Sequence, residues 1–495
     1  MNKVLNRRRF LKMSVASGAL LGMSKFGITA REAAAVSGSN EAIRMGFVGL
    51  NGRGAELINW FRNVPGVRIA ALCDPDGEVL AREKQKCAEH DEQPQTYVDL
   101  RSLLDDPDID AVALAMPNQW HVLAGIWACQ AGKDVYVEKP VSHNIWEGRR
   151  LVEAARKYNR IVQGGTQHRS CPVLPALRKF LVDEERLGKL QYVRSSAYNL
   201  GSKNFPRYLG ARVDTPLEIP NHVDYNLWCG PAPDMPPMRR RLHYEWHWQW
   251  AYGTGEMGNW GAHVLDDVLY VLGITTLPNR CMAGGGRFVW DDNGETPNVA
   301  FVYYDTDVVP IMYDVSNLPS ATGAEEARIY RGLRIGSVIQ CENGFYVGGR
   351  RGGRAYDNQR NVIQAFSGDG GSAHAANFID ALRNRNGALL NAEVENTHIS
   401  TAWCHLGNIS CRLGADYSRE EALERAEGFA PWGEMLDGVH EHLEANGVAL
   451  DSVKLGPVLD INPKTETFIG PSATPEALAL LRRDYREPFV VPEKV

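Results

Sequence analysis

The sequence has no long basic run, no Cys-x-x-Cys pair, no internal repeat of fixed period and no long low-complexity tract. Each absence removes a class of function. Lys and Arg total 54 against 60 Asp and Glu, a formal charge of −6, and this balance argues against a nucleic-acid partner. The nine cysteines are odd in number and scattered, which speaks against a disulfide framework and against zinc. His374, His398 and His405 have no metal-ligand spacing and read as structural, so no metal is expected. What is present, 495 residues of which 44% are hydrophobic and 23% charged, describes a globular chain long enough for two lobes.

The N-terminus carries a different signal. Asn6-Arg7-Arg8-Arg9-Phe10-Leu11-Lys12 precedes a modestly apolar stretch, Met13–Met23, and then Ala33-Ala34-Ala35. A basic start, a short apolar segment and small residues read as a signal peptide over residues 1–35, too short and too weakly apolar to span a membrane in the mature protein. Adjacent arginines followed by Phe-Leu-Lys resemble a twin-arginine signal, which implies the twin-arginine translocon as a transient partner and a periplasmic or otherwise exported destination.

Residues 43–165 read as a dinucleotide-binding lobe. Ile43–Val48 is strand-like and runs into Gly49-Leu50-Asn51-Gly52-Arg53-Gly54. A helical stretch, Ala55–Val64, stops at Pro65-Gly66, and a second strand, Val67–Leu72, ends in Cys73-Asp74. Strand, glycine turn, helix, strand and acid is the order of a βαβ unit for a dinucleotide. Glycines let backbone N–H groups approach a pyrophosphate at a helix start; Asp74 would accept from the adenosine ribose and repel a 2′-phosphate, favouring NAD. Asn51 replaces the middle glycine, and asparagine tolerates the left-handed backbone better than most residues.

The strand–helix alternation continues. Ala111–Ala115 ends in Met116-Pro117-Asn118-Gln119-Trp120-His121, with His121 expected to open the helix Val122–Ala131. Val135–Val137 ends in Glu138-Lys139-Pro140, and Ile161–Gln163 ends in Gly164-Gly165-Thr166-Gln167-His168-Arg169. The alternation predicts a doubly wound parallel sheet, in which ligands lie beyond the carboxyl ends of the strands. The turns holding Gly49–Gly54, Asp74, Pro117–His121, Glu138–Pro140 and Gln167 all fall on that edge. Arg169 fits either a substrate hydroxyl or carboxylate, or a structural ion pair.

Farther along, His243-Tyr244-Glu245-Trp246-His247-Trp248-Gln249-Trp250-Ala251-Tyr252 leads into a glycine-rich stretch ending at His263. Aromatic faces suit the C–H faces of sugars, and alternating aromatics also suit a strand with one core face. His243, Trp246, Trp248 and Tyr252 are therefore substrate candidates. His263 is expected to open a helix, where the dipole discourages protonation and suits a general base.

The glycine turn, Pro117-Asn118-x-x-His121 and Glu138-Lys139-Pro140 together resemble the glucose–fructose oxidoreductase/inositol dehydrogenase/rhizopine-catabolism superfamily, over most of residues 43–490. The resemblance implies an N-terminal Rossmann domain and a C-terminal α/β domain with an open, mainly antiparallel sheet, here residues 166–420, followed by an extension, 421–495, packing back on the body. Its ending, Glu466–Gly470 through Arg486–Phe489, resembles a tail of exported bacterial members. By resemblance Lys139 lies beside the nicotinamide and the reacting hydroxyl, and Gly255–His263 carries the family histidine; the Lys139-Pro140 bond is cis in relatives, and sequence alone leaves cis and trans open here. The family aspartate of that segment falls on Asn259, and Asp266 matches another family position that would orient His263 or hold its helix. The resemblance further implies an NAD-dependent oxidoreductase acting on a ring hydroxyl of a sugar, cyclitol or glycoside. His263 would take the proton, Lys139 would steady the alkoxide, and Glu138 would pair with Lys139 or the cofactor ribose. Relatives also use NAD in a redox-neutral glycosidase, by oxidation, elimination, hydration and reduction. A sugar-binding protein with a vestigial nucleotide site is a third reading. Homo-oligomers are expected by analogy.

Overall fold

A computed structural model describes residues 42–495; the expected signal segment, 1–35, lies outside the described residues. The first domain is a six-stranded sheet of β1 (Ile43–Val48), β2 (Val67–Cys73), β3 (Gln95–Tyr97), β4 (Ala111–Leu114), β5 (Asp134–Val137) and β6 (Val162–Gly164). Every neighbouring pair is parallel, in the order β3-β2-β1-β4-β5-β6. Helices α1 (Arg53–Arg62), α2 (Gly77–Ala88), α3 (Leu100–Leu104), α4 (Asn118–Gln130) and α5 (Ile145–Lys157) make the crossovers.

The central strands β4 and β5 are buried along their whole length, which explains their near-continuous apolar runs: parallel strands need cover on both faces. Leu123 and Ile126 of α4 and Leu151 and Val152 of α5 cover one face. On the other, Phe61 of α1 meets Tyr136 edge-on at 5.5 Å and Phe378 at 6.0 Å. Burying a ring of this kind contributes about 2–3 kcal/mol. Side-chain caps fix where helices start. Asp76 accepts from the amides of Glu78 and Val79 ahead of α2, and Asn144 accepts from Glu147 ahead of α5.

The second sheet contains β7 (Leu190–Tyr198), β8 (Arg280–Gly286), β9 (Val299–Asp305), β10 (Ile311–Ser316), β11 (Ile335–Cys341), β12 (Gly344–Gly349), β13 (Gly352–Asp357) and β14 (Val362–Ser367). They run in the order β14-β13-β12-β11-β7-β10-β9-β8, followed by short strands of the C-terminal region. β10 and β7 pair in parallel and the remaining neighbours are antiparallel. The helices Ala262–Leu272 and Val394–Arg412 pack under this sheet, while Trp432, Met435 and Leu436 of the helix Ala430–Ala445 cover part of its other face.

Chain order and packing part company at three places. The helix His374–Asn384 follows the second sheet in sequence, yet its Phe378 and Ile379 complete the Rossmann core. The tail returns as well: Phe489 and Val491 are buried in the first domain, and Arg483 donates to Glu147 at 2.8 Å. The helix Val394–Arg412 starts in one core with Val394 and continues in the other with Ile399, Trp403 and Leu406.

Candidate active site

The carboxyl ends of the Rossmann strands open on a cavity of about 780 Å³, closed on the far side by the segment 199–263 and by residues Arg334 and Arg350. At the end of β1, Gly49 has φ +77°, and a Cβ there would lie 2.8 Å from Ala115 O, so glycine is required. Gly52 has φ +55° and a Cβ there would meet nothing within 4 Å, leaving open space at the start of α1, where no side chain caps the helix. Gly54 lies outside the lining and serves packing: a Cβ there would fall 1.8 Å from Gly49 O. Asn51 lines the cavity and accepts from Arg82 at 3.0 Å. Asp74, at the end of β2, receives the amides of Leu50 at 2.8 Å and Asp76 at 3.0 Å, while burial pushes its pKa up. An uncapped helix start, a glycine cradle and an acid one strand away are the donor set that a dinucleotide fits.

Two corrections arise along this wall. α4 begins at Asn118, with Pro117 at the cap, so His121 lies inside the first turn. Its ring nitrogens lie 2.7 Å from Pro140 O and from Met116 O, which ties two strand-end turns together. Asn118 accepts from Thr254 at 3.1 Å. Glu138 does not pair with the Lys139 ammonium. Burial raises the Glu138 pKa, but Arg53, donating from Nε at 2.7 Å, outweighs it and holds the net shift downward. Gln167 donates to the same carboxylate at 3.1 Å. Lys139-Pro140 is cis.

The Lys139 ammonium crosses the cleft instead and donates to both Asn259 O and Asn259 Oδ1 at 2.9 Å. Asn259 Nδ2 in turn donates to Glu256 Oε2 at 3.3 Å, and Glu256 is ion-paired with Arg207. A carboxylate thus lies three residues before Asn259, one helical turn away, with the Asn259 amide relaying between it and the lysine. An aspartate at 259 would set two carboxylates against each other; an amide accepts from the cation and donates to the acid. Burial lowers the Lys139 pKa to about 8, with Glu138 and Glu256 opposing.

His263 lies on the same wall, 6% exposed, with no partner for Nδ1 among the described residues. Its helix does not start there. Helical backbone begins at Gly255 and includes a π-turn, Met257–Gly261, before Ala262–Leu272. The imidazole is kept neutral by burial first, then by the charges of Lys139 and Arg350, and not by a helix terminus.

The aromatic run is not a strand. Glu245–Trp248 forms a single 3-10 turn, because Gln249 N closes on Trp246 O rather than on a neighbouring strand. Trp246 lines the cavity, and His247 stacks on it with ring centroids 3.7 Å apart. Trp248 and Tyr252 are fully buried behind the wall and do not reach the cavity. His243 does reach it, on the Asp74 side: its Nε2 is 2.8 Å from Asp76 Oδ2, which ties it to the start of α2. Arg169 and Asp266 are also withdrawn from the substrate set. They form a buried ion pair with Arg169 Nε 2.8 Å from Asp266, and neither touches the cavity. Asp266 therefore holds its helix and does not orient His263.

Sequence reasoning did not single out Glu256, Arg207, Trp260, Arg334 or Arg350. Glu256 was visible at one helical turn from Asn259; the two far arginines come from strand ends whose closeness only the fold creates. Among the described residues no cluster of three or more His, Cys, Asp or Glu has metal-holding geometry, and no helix is long and apolar enough to cross a membrane.

Residues 43–166 match the family model described as an oxidoreductase family, NAD-binding Rossmann fold, and residues 177–334 match its C-terminal alpha/beta domain. The chain belongs to this oxidoreductase family. Its first domain is the family's NAD-binding Rossmann fold. Similar curated proteins include a glycosyl hydrolase family 109 protein of Shewanella pealeana, 31% identical over 173 residues, which are 31% of this chain and 37% of the relative. Another, from Saccharopolyspora erythraea, is 30% identical over 31% of this chain and 38% of its own length. The matches thus span less than two-fifths of either relative. Among solved structures, the WlbA dehydrogenase from Bordetella pertussis in complex with NADH and UDP-GlcNAcA has a TM-score of 0.54 at 16% identity, covering 75% of this chain and 97% of that one. GenD2 from gentamicin A biosynthesis, in complex with NAD, has a TM-score of 0.51 at 17% identity over 74% and 93%. At such identities these two share the fold with the family member described here.

Proposed function

We propose that the protein is an NAD-dependent carbohydrate enzyme that oxidises a carbon bearing a ring hydroxyl. The observation carrying this reading is that one cavity is lined by both Lys139, whose ammonium donates twice to Asn259 across the cleft, and the imidazole of His263, which burial keeps neutral. NAD, when bound, supplies the hydride acceptor. Gly49, Asn51, Gly52, Arg53 and Asp74 would hold it, with Pro117, Asn118, His121 and Gln167 shaping the floor. Two of the three Lys139 donors are committed to Asn259, so the third is left for a substrate oxygen. Near neutral pH that donor stabilises an alkoxide as it forms, while the neutral His263 imidazole, which lines the cavity, accepts the proton. Arg207 and Glu256 keep Asn259 in place and thereby aim the ammonium.

A second reading embeds the same oxidation in a redox-neutral glycosidase, and the family 109 names of the similar proteins favour keeping it. Product analysis on a panel of free sugars and glycosides separates the two. A keto-sugar with the glycosidic bond intact supports net oxidation; a released aglycone with no net NADH supports the glycosidase. Failure of Lys139→Ala and His263→Ala to lower turnover would remove both readings.

We further propose export through the twin-arginine route as a folded homo-oligomer with the cofactor already bound, because no soluble NAD pool exists outside the cytoplasm to reload it. Mass spectrometry of protein purified from periplasm tests this. About one NAD per chain is expected; an empty protein in that compartment overturns it.

A further inference from the structure

Four arginines line the cavity, and they differ in kind. Arg53 is ion-paired with Glu138 and Arg207 with Glu256; Arg334 and Arg350 form no ion pair among the described residues. The buried Asp267 carboxylate feels the Arg350 charge, but burial holds its pKa up and its Oδ2 is taken by His168 at 2.6 Å. Backbone geometry brings the two free arginines to the same rim. Arg334 immediately precedes β11, Arg350 is in the two-residue turn between β12 and β13, and β11 and β12 are antiparallel neighbours. Glycines make that approach possible: a Cβ on Gly349 would lie 2.7 Å from Ile335 O, and one on Gly336 would lie 2.2 Å from Gly348 O. Two like charges brought together repel each other by Coulomb's law. Among the described residues no carboxylate comes within ion-pair distance of either guanidinium.

We infer that the substrate is an anionic sugar whose carboxylate, sulfate or phosphate is held between Arg334 and Arg350, beside Lys139 and His263. The inference rests on the carbohydrate reading above and narrows its substrate class. Guanidinium groups match oxyanions with paired N–H donors and gain little from neutral hydroxyls. Arg169, the other arginine with a claim on a carboxylate, is spent on Asp266 inside the wall. Arg350 lines the same cavity as Lys139 and His263, and its charge disfavours the charged form of both. A bound oxyanion cancels that field while its ring hydroxyls face the lysine.

The test uses the NAD-loaded full chain with matched sugars: glucose, glucuronate, glucose 6-sulfate and glucose 6-phosphate, the galactose series, and their methyl glycosides. Calorimetry reads affinity and NADH absorbance reads turnover. At least one acidic member is expected to bind about tenfold or more tighter than its neutral partner. Its preference should shrink with added salt and in Arg350→Gln and Arg334→Gln; Arg350→Lys should recover part of it. Which acidic member wins identifies the oxyanion. Equal binding of neutral and acidic partners overturns the inference, as does a preference that survives in the double variant or failure of every acidic sugar to bind. Should a variant not fold, the wild-type preference and its salt dependence still decide. Arginine-dependent binding without any turnover would leave the inference standing and remove the oxidation reading; turnover of neutral sugars without acid preference does the reverse.

Discussion

The two walls of the cleft are made differently. The wall of strand ends is short-turned, and its charges are balanced within it: Arg53 on Glu138, Asp74 on two amides, Glu138 also on Gln167. The opposite wall is assembled from a long irregular segment and a hairpin tip, and among the described residues it leaves a histidine nitrogen without a hydrogen-bond partner and two arginines without an ion pair; the one strand-end charge that reaches over to it is Lys139. A balanced wall suits a ligand that stays the same from one relative to the next. An unbalanced wall has its counterpart in the molecule that visits. The comparison teaches that substrate identity should be sought in the far wall and cofactor identity in the near one.

Substitutions can break that division. The largest effect is expected for Lys139→Ala, which should lower kcat by about a thousandfold or more while leaving NAD affinity largely intact by calorimetry; equal loss of NAD binding would make the lysine a cofactor anchor. Next comes Arg53→Ala, which strands the buried Glu138 charge and should cost about 3–5 kcal/mol in denaturant unfolding, at whatever substrate concentration. Asp74→Ala should weaken NAD by about 10- to 100-fold and narrow its advantage over NADP, measured by fluorescence titration. No change in that ratio would refute the ribose role.

Smaller effects sharpen the picture. Activity should fall on the alkaline side as Lys139 loses its proton near its pKa of about 8. Glu256 opposes that loss, so Glu256→Gln should move the alkaline limb of kcat/KM to lower pH, with kcat reduced more than KM is raised. The groups acting on the lysine are Glu138 and Glu256, which favour its charge, and Arg350 and Arg53, which disfavour it. A limb that stays put would mean that Glu256 merely anchors Arg207. Far from the cleft, burial raises the Glu466 pKa, but His398 and Arg149 outweigh it and hold it at about 2. A depressed carboxylate contributes stability that is present above its unfolded pKa and lost as pH falls toward its folded one. Glu466→Gln should therefore flatten the acid branch of the stability curve by about 2–3 kcal/mol, checked by urea midpoints.

The near wall was legible in the sequence because its chemistry is local. A glycine turn after Ile43–Val48, an acid after Val67–Cys73 and Glu-Lys-Pro after Asp134–Val137 are each within a few residues of the strand that presents them, and the period of the pattern names the strand. The far wall is long-range. Trp248 and Trp246 are two residues apart, yet one is core and the other lines the cavity, because a 3-10 turn replaced the strand that alternation suggested. Arg169 and Asp266 are 97 residues apart, and only the fold brings them together to cancel. Asn259 was readable as a departure from its family, but its meaning required Glu256 one turn back and Lys139 across the cleft.

The helix Val394–Arg412 belongs to both hydrophobic cores at once. One rigid rod rooted in two bodies denies them a hinge between them, since opening such a joint would pull apolar residues of one core into water. Unfolding should accordingly be a single cooperative event, and limited proteolysis should release no stable Rossmann fragment. A chain of this kind meets a folded-state checkpoint as all or nothing: neither half is native while the other is not.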